Sequence, residues 1–255
     1  MPELNKANRM VCDVDIRDLK TKTPFLNFDT ANTTTAGITG DSVYARAKGV
    51  NRIPFPNPIQ GTMTIEAQVY PFKLFALFSD GTLETTAAQP VHTTVKCTTA
   101  GTLPLAITGG TLVEGTLFVF KKGEYGDEDK VIKGTYATNA FTATTAAEIE
   151  ANKEYEVGFI VTRETGVKRV AFNNKKIPRD YFITMSTLDK DEEGTLTPFL
   201  MTAYKAYVQR TFELSFSSDG DPATVTMNFD LMEDKDGNFF DMTEITEELA
   251  INAGA

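Results

Sequence analysis

Between Gly61 and Asp80 the chain passes from strict two-residue alternation into one short, uniformly apolar run. Met63, Ile65, Ala67 and Val69 point one way and Thr62, Thr64, Glu66 and Gln68 the other, the pattern of a strand with one wet face. Pro71 suits a first helical turn, and Phe72, Leu74, Phe75, Leu77 and Phe78 coat the next turns nearly all round, which predicts a buried helix on a sheet. Elsewhere the same alternation recurs at Tyr155, Val157, Phe159 and Val161, at Phe212, Leu214 and Phe216, and at Val225, Met227, Phe229 and Leu231. The last two runs flank Ser217–Ala223, where Asp-Gly and Asp-Pro supply turn conformations, so they predict a hairpin. From Met242 to Ile251 the pattern fits a terminal helix or a frayed tail equally well.

Two stretches depart from this rhythm. The first, Asp29–Pro58, is rich in Thr, Gly, Asn and Pro, holds one short strand candidate at Val43–Ala47, and predicts a long loop or arm that docks on a neighbouring subunit. Val43, Tyr44, Ile53 and Phe55 are its candidate interface residues, because apolar groups kept in such a segment need a partner. The second, residues 91–165, strings together short strand candidates as a small β unit of its own. The polar approach to Tyr155-x-Val-x-Phe159 resembles the late strands of immunoglobulin-like sandwiches, although the Cys and Trp hallmarks are missing. Such a unit is tolerated as an insertion in an exposed loop, which leaves residues 1–90 and 166–255 as two parts of one domain.

Composition then trims the functional classes. With 41% hydrophobic and 24% charged residues over 255 positions, the chain can bury a full core and is not disordered. It shows no signal-peptide run and no membrane-span-length apolar stretch, so the expectation is a soluble protein made in a cytoplasm. A net charge of −10 disfavours a nucleic-acid clamp and suits a surface that DNA slides past. Cys12 and Cys97 read as reduced, packed thiols. His92 is the one histidine, no nucleophile elbow or phosphate-cradling glycine loop occurs, and no catalytic, cofactor or metal residue is expected. The acidic runs Asp189–Gly194 and Glu233–Asn238 fail as calcium loops, since Leu200 stands where a bidentate Glu is needed and Gly237 comes too early; both predict hairpin turns.

The order of these parts resembles the tail tube, or major tail, proteins of long-tailed bacteriophages. The resemblance is carried by Asp29–Pro58, the strand-to-helix unit Gly61–Asp80, Pro178-Arg-Asp-Tyr-Phe-Ile183 and the closing segment Phe212–Leu231. It implies an all-β fold, a β-sandwich or partial barrel with one flanking α-helix, and leaves the immunoglobulin-like β unit as an insertion. It also implies a structural virion protein that is not an enzyme and self-assembles into stacked, hexameric rings. Implied partners are further copies of the chain and other tail proteins, such as the tape measure and a sheath. The resemblance further implies that DNA transits the lumen without specific binding, that no membrane is involved, and that assembly takes place in the host cytoplasm. A contrasting reading is a virion-decorating or surface binding module that recognises carbohydrate or protein.

Overall fold

The computed structural model describes residues 4–215, 218–220 and 222–246. The chain divides into two compact units, Met1–Thr82 with Phe172–Ala255, and Leu83–Ala171.

The first unit is built on one nine-stranded antiparallel sheet. Its main path runs β3 (Pro24–Phe28), β2 (Asp13–Asp18), β15 (Asp180–Asp191), β16 (Leu196–Val208), β17 (Val225–Met232), β7 (Gln60–Ala67) and β4 (Ala31–Thr39). Two further strands attach to it, β1 (Lys6–Ala7) on β15 and β18 (Phe240–Glu244) on β16. The two ends of this path, β3 and β4, are joined by Asp29–Thr30 alone. So short a link forces the sheet to curl until its edges approach. The Cys12 amide, just before β2, donates to the Thr34 hydroxyl of β4 at 3.4 Å, consistent with a partial barrel.

Inside lies a single core to which most of the strands contribute alternate residues: Val14 and Ile16, Leu26 and Phe28, Met63 and Ile65, Tyr181 and Ile183, Val225, Met227 and Phe229. Tyr181, Ile183 and Met185 of β15 are buried as the alternation requires. The predicted strand Met63, Ile65, Ala67 is present, but it ends at Ala67, and Val69 is 68% exposed in the turn that follows.

The predicted helix is found at Phe72–Phe78, wound as a 3₁₀ helix rather than an α-helix. Its end bonds span three residues, Leu74 N–H to Pro71 O at 2.9 Å and Ser79 N–H to Ala76 O at 3.2 Å, with Pro71 at its start and no side-chain cap. A three-residue period aligns Phe72, Phe75 and Phe78 along one side. Phe75 and Phe78 lie 5.9 and 4.7 Å from the Phe212 ring, while Phe72, at the open end, stays 45% exposed. Leu74, Ala76, Leu77 and Phe78 are buried, so the helix plugs the core without being covered all round.

Two sequence expectations about the closing segment are corrected. Phe212 and Leu214 lie in no strand, and the partners of β17 are β7 and β16. Phe212 is drawn instead into the aromatic cluster with Phe75, Phe78 and Phe172. Phe216 and Ser217 lie outside the described residues. Met242 belongs to β18 rather than to a helix or tail, and the rest of the predicted terminal element, from residue 247, lies outside the described residues.

Of the two acidic runs, Asp189–Gly194 makes the β15–β16 hairpin turn, with the Asp191 carboxylate accepting from Glu193 and Thr195 amides at 3.0 and 2.7 Å. Glu233–Asn238 does not make a hairpin. β17 and β18 both pair with β16, at residues 205–208 and 199–203, so they are two lengths of one interrupted strand with this loop bulging between them. The Asp234 carboxylate closes the bulge by accepting from the Asp236 and Asn238 amides, both at 2.9 Å.

The second unit holds two small sheets around its own core of Cys97, Leu103, Val119, Phe141, Ile149, Tyr155 and Val157. In one, β14 (Glu154–Arg163) pairs with β8 (Ala87–Lys96) along one side and with β10 (Thr111–Leu112) and β11 (Phe118–Lys121) in succession on the other. The second sheet is β12 (Gly134–Ala137), β13 (Ala140–Ala143) and β9 (Thr102–Pro104). Tyr155, at the start of β14, accepts the Glu150 amide at 2.6 Å and donates to Glu148 O at 3.2 Å, a tyrosine-to-upstream-backbone brace that immunoglobulin-type sandwiches also use.

Candidate subunit interface

The segment Asp29–Pro58, expected to be a long loop, is instead mostly strand. β4 pairs with β7 from Ala31 to Thr39, and beyond it β5 (Ser42–Ala47) and β6 (Val50–Pro56) form a separate two-stranded ladder. The strand predicted at Val43–Ala47 is there. Asn57 N–H donates to Asp41 O at 2.8 Å where the two ladders meet, so β4–β7 and β5–β6 make one ribbon whose base belongs to the sheet. Six residues of strand carry its tip about 20 Å beyond the base.

Register sorts the arm's side chains onto two faces. Val43 lies opposite Phe55, Ala45 opposite Ile53, and Ala47 opposite Val50 after a bulge between Ala45 and Arg46. Cross-strand partners share a face, so Val43, Ala45, Ala47, Val50, Ile53 and Phe55 form a continuous apolar side. The opposite side carries Ser42, Tyr44, Arg46, Asn51, Pro54 and Pro56, and Arg46 Nε donates to Asn51 Oδ1 at 2.9 Å. None of the apolar side reaches either core among the described residues. Val43, Val50, Ile53 and Phe55 are 58%, 59%, 55% and 55% exposed, and Tyr44 on the other side 45%. A lone two-stranded hairpin with an uncovered greasy face is marginal by itself.

The edges of the arm are unequal. Pro54 and Pro56 have no N–H, so a ladder that closes opposite them must use the amides of Phe55 and Ile53, which turns positions 54 and 56 to the outer edge of β6. That edge offers no donor at either place. The outer edge of β5 keeps its N–H groups at Tyr44 and Arg46.

The remaining features that could carry chemistry are dispersed. His92 is exposed and stacks on Tyr125 with centroids 3.9 Å apart. Cys12 and Cys97 are free and buried, one in each unit. Burial pushes the Cys12 thiol up, against the opposing pull of its Thr34 hydrogen bond. No group of metal-ligating side chains occurs among the described residues. Asp80 is held below the usual carboxylate range despite some desolvation, because the Thr82 hydroxyl and Lys176 ammonium favour its ionised form.

The family model of the YomU/Tube protein family matches residues 9–245. The chain belongs to the YomU/Tube protein family. It is a phage tail tube structural protein, a virion component that works in an oligomeric tail assembly with other tail proteins. No curated protein matches the chain.

For a tube protein, the arm is the candidate contact. Sequence reasoning singled out Val43, Tyr44, Ile53 and Phe55, of which three lie on the apolar side and Tyr44 on the other. It missed Val50 and the hairpin itself. The turn is Lys48-Gly49, with φ of +52° and +79°, and the pairing of Ala47 with Val50 makes it a two-residue connection of the type that usually carries Asn-Gly. The available signal was the Val43, Ala45, Ala47 alternation answered by Ile53 and Phe55.

Proposed function

We propose that this tube protein self-assembles into stacked, hexameric rings that form the tail tube through which DNA passes, and that the β5–β6 arm is the contact by which one subunit grips the next. The observation that carries this reading is the arm's apolar side, a ladder of six residues with no cover in its own subunit among the described residues. Val43, Tyr44, Ile53 and Phe55 are assigned to that contact, with the open β5 edge available for strand addition. A head-to-tail contact of this kind closes into a ring or repeats along an axis. A net charge of −10 agrees with a lumen that lets phosphate pass without holding it. The unit Leu83–Ala171 is proposed as an immunoglobulin-like insertion.

The test is to replace residues 42–56 by a two-residue Asn-Gly turn, which leaves β4 and β7 paired, and to compare the full chain with this variant by negative-stain microscopy and limited proteolysis. Rings or tubes from the full chain, an arm protected from protease only after assembly, and a folded variant that stays monomeric support the reading. A variant that still forms the same particles overturns it.

A further inference from the structure

We infer that the arm is received by a carboxylate-bearing face of a second copy of this chain and not by that copy's own arm. This rests on the reading of the arm as an assembly contact. Residues 42–56 contain Arg46, Lys48 and Arg52 and no acidic residue. Taking these three positive charges from the chain's −10 leaves −13 on the other residues, so the arm has the opposite sign to the rest of the molecule. No salt bridge reaches any of the three cations among the described residues, so each is open to a neighbour's carboxylate.

Their placement sharpens the point. Arg52 is the extra residue of the bulge, Arg46 adjoins it and Lys48 sits in the tip turn, so the charge is gathered at the distal half, while Val43, Ile53 and Phe55 occupy the half nearer the sheet. An exchange in which two arms lay face to face would bring six unpaired cations together, which opposes pairing. A neighbour's acidic body satisfies both halves, covering the apolar stem and neutralising the tip. The contact is then heterologous, tip to body, and its formation is steered by charge.

The experiment uses the full chain and the arm-reversed variant R46E/K48E/R52E, followed by sedimentation velocity across a salt series, with thermal melts as the folding control. Tip-to-body docking predicts that wild-type association weakens on the order of tenfold or more between low and high salt. It predicts that the reversed variant melts normally but fails to assemble. Added to wild type, the variant should shorten the assemblies, because its intact body accepts a wild-type arm and its own arm extends no further. Arm-to-arm exchange predicts the reverse, a tight one-to-one pair of wild type and variant. That pair, or normal assembly of the variant alone, overturns the inference. If the variant assembles normally while the Asn-Gly replacement does not, the arm is still the contact and only the electrostatic account fails.

Discussion

Val43 stands directly opposite Phe55 in the β5–β6 ladder, and both side chains are more than half exposed. In a sheet that belonged to the core, such a cross-strand pair would be among the first contacts covered. The double variant Val43→Ser/Phe55→Ser should therefore leave the melting temperature within a degree or two, since exposed substitutions shift stability by about 0.5 kcal/mol or less. Its assembly, measured by sedimentation, should be lost or strongly weakened. Normal assembly would show that the pair is a solvent-facing feature of the arm.

Leu77 is fully buried in the 3₁₀ helix and joins the core of the first unit. Leu77→Ala should cost about 2–5 kcal/mol in urea melts. Phe75 is only partly buried against that core, so Phe75→Ala should cost less than the roughly 3–5 kcal/mol of a fully enclosed ring. A loss at Phe75 as large as that of a fully enclosed ring, or a loss at Leu77 under about 1 kcal/mol, would contradict the packing described.

Gly61 lies under the Phe239 ring, and a Cβ there would come within 2.8 Å of it. Gly61→Ala should destabilise by about 1–3 kcal/mol, as overpacking does. Combining it with Phe239→Leu should recover part of the loss in a double-mutant cycle. Additive penalties would mean that the two sites do not meet.

Tyr181 buries its hydroxyl with no hydrogen-bond partner among the described residues. Burial pushes this phenol well above its ordinary value, with Arg179 pulling weakly the other way. The unfolded chain ionises near pH 10, so this group's stabilising contribution is complete below that pH and is lost as pH rises toward its folded value. Tyr181→Phe should be neutral or stabilising at pH 7, by up to about 1 kcal/mol, and should flatten the alkaline fall in melting temperature. A clear loss of stability at pH 7 would show that the hydroxyl is satisfied.

Glu84 and Arg169 exchange backbone hydrogen bonds, both at 2.9 Å, where the chain enters and leaves the second unit, and their side chains pair at 3.2 Å. Chain ends this close need only a short bridge. Replacing residues 85–168 by a few Gly and Ser residues should leave the first unit folded, as judged by a cooperative melt. A molten product across several linker lengths would tie the two units into one folding unit.

The sequence revealed strands wherever one face meets the core, because alternation at period two is then enforced by burial. Val225, Met227, Phe229 and Leu231 were legible for that reason, as were Tyr155, Val157 and Phe159. Phe212 and Leu214 alternate equally well yet form no strand; here aromatic packing on Phe75 and Phe78 outweighs local pattern. The arm was legible as a segment carrying apolar residues outside the core but not as a hairpin. No core reads its two faces, and Lys48-Gly49 is a weak turn signal. Partner strands were out of reach altogether: nothing local shows that β17 and β18 share β16, since that pairing is decided by how the whole sheet curls.

The two prolines of β6 have a further consequence for a subunit before it is built into anything. A bare hairpin is a template, and identical hairpins at high concentration tend to stack edge on edge without limit. With Pro54 and Pro56 on one edge, a second arm meets two missing backbone donors along β6, while β5 keeps its own. Growth of that kind is hindered on the β6 side. Newly made subunits can thus accumulate with less tendency for their arms to seed fibres.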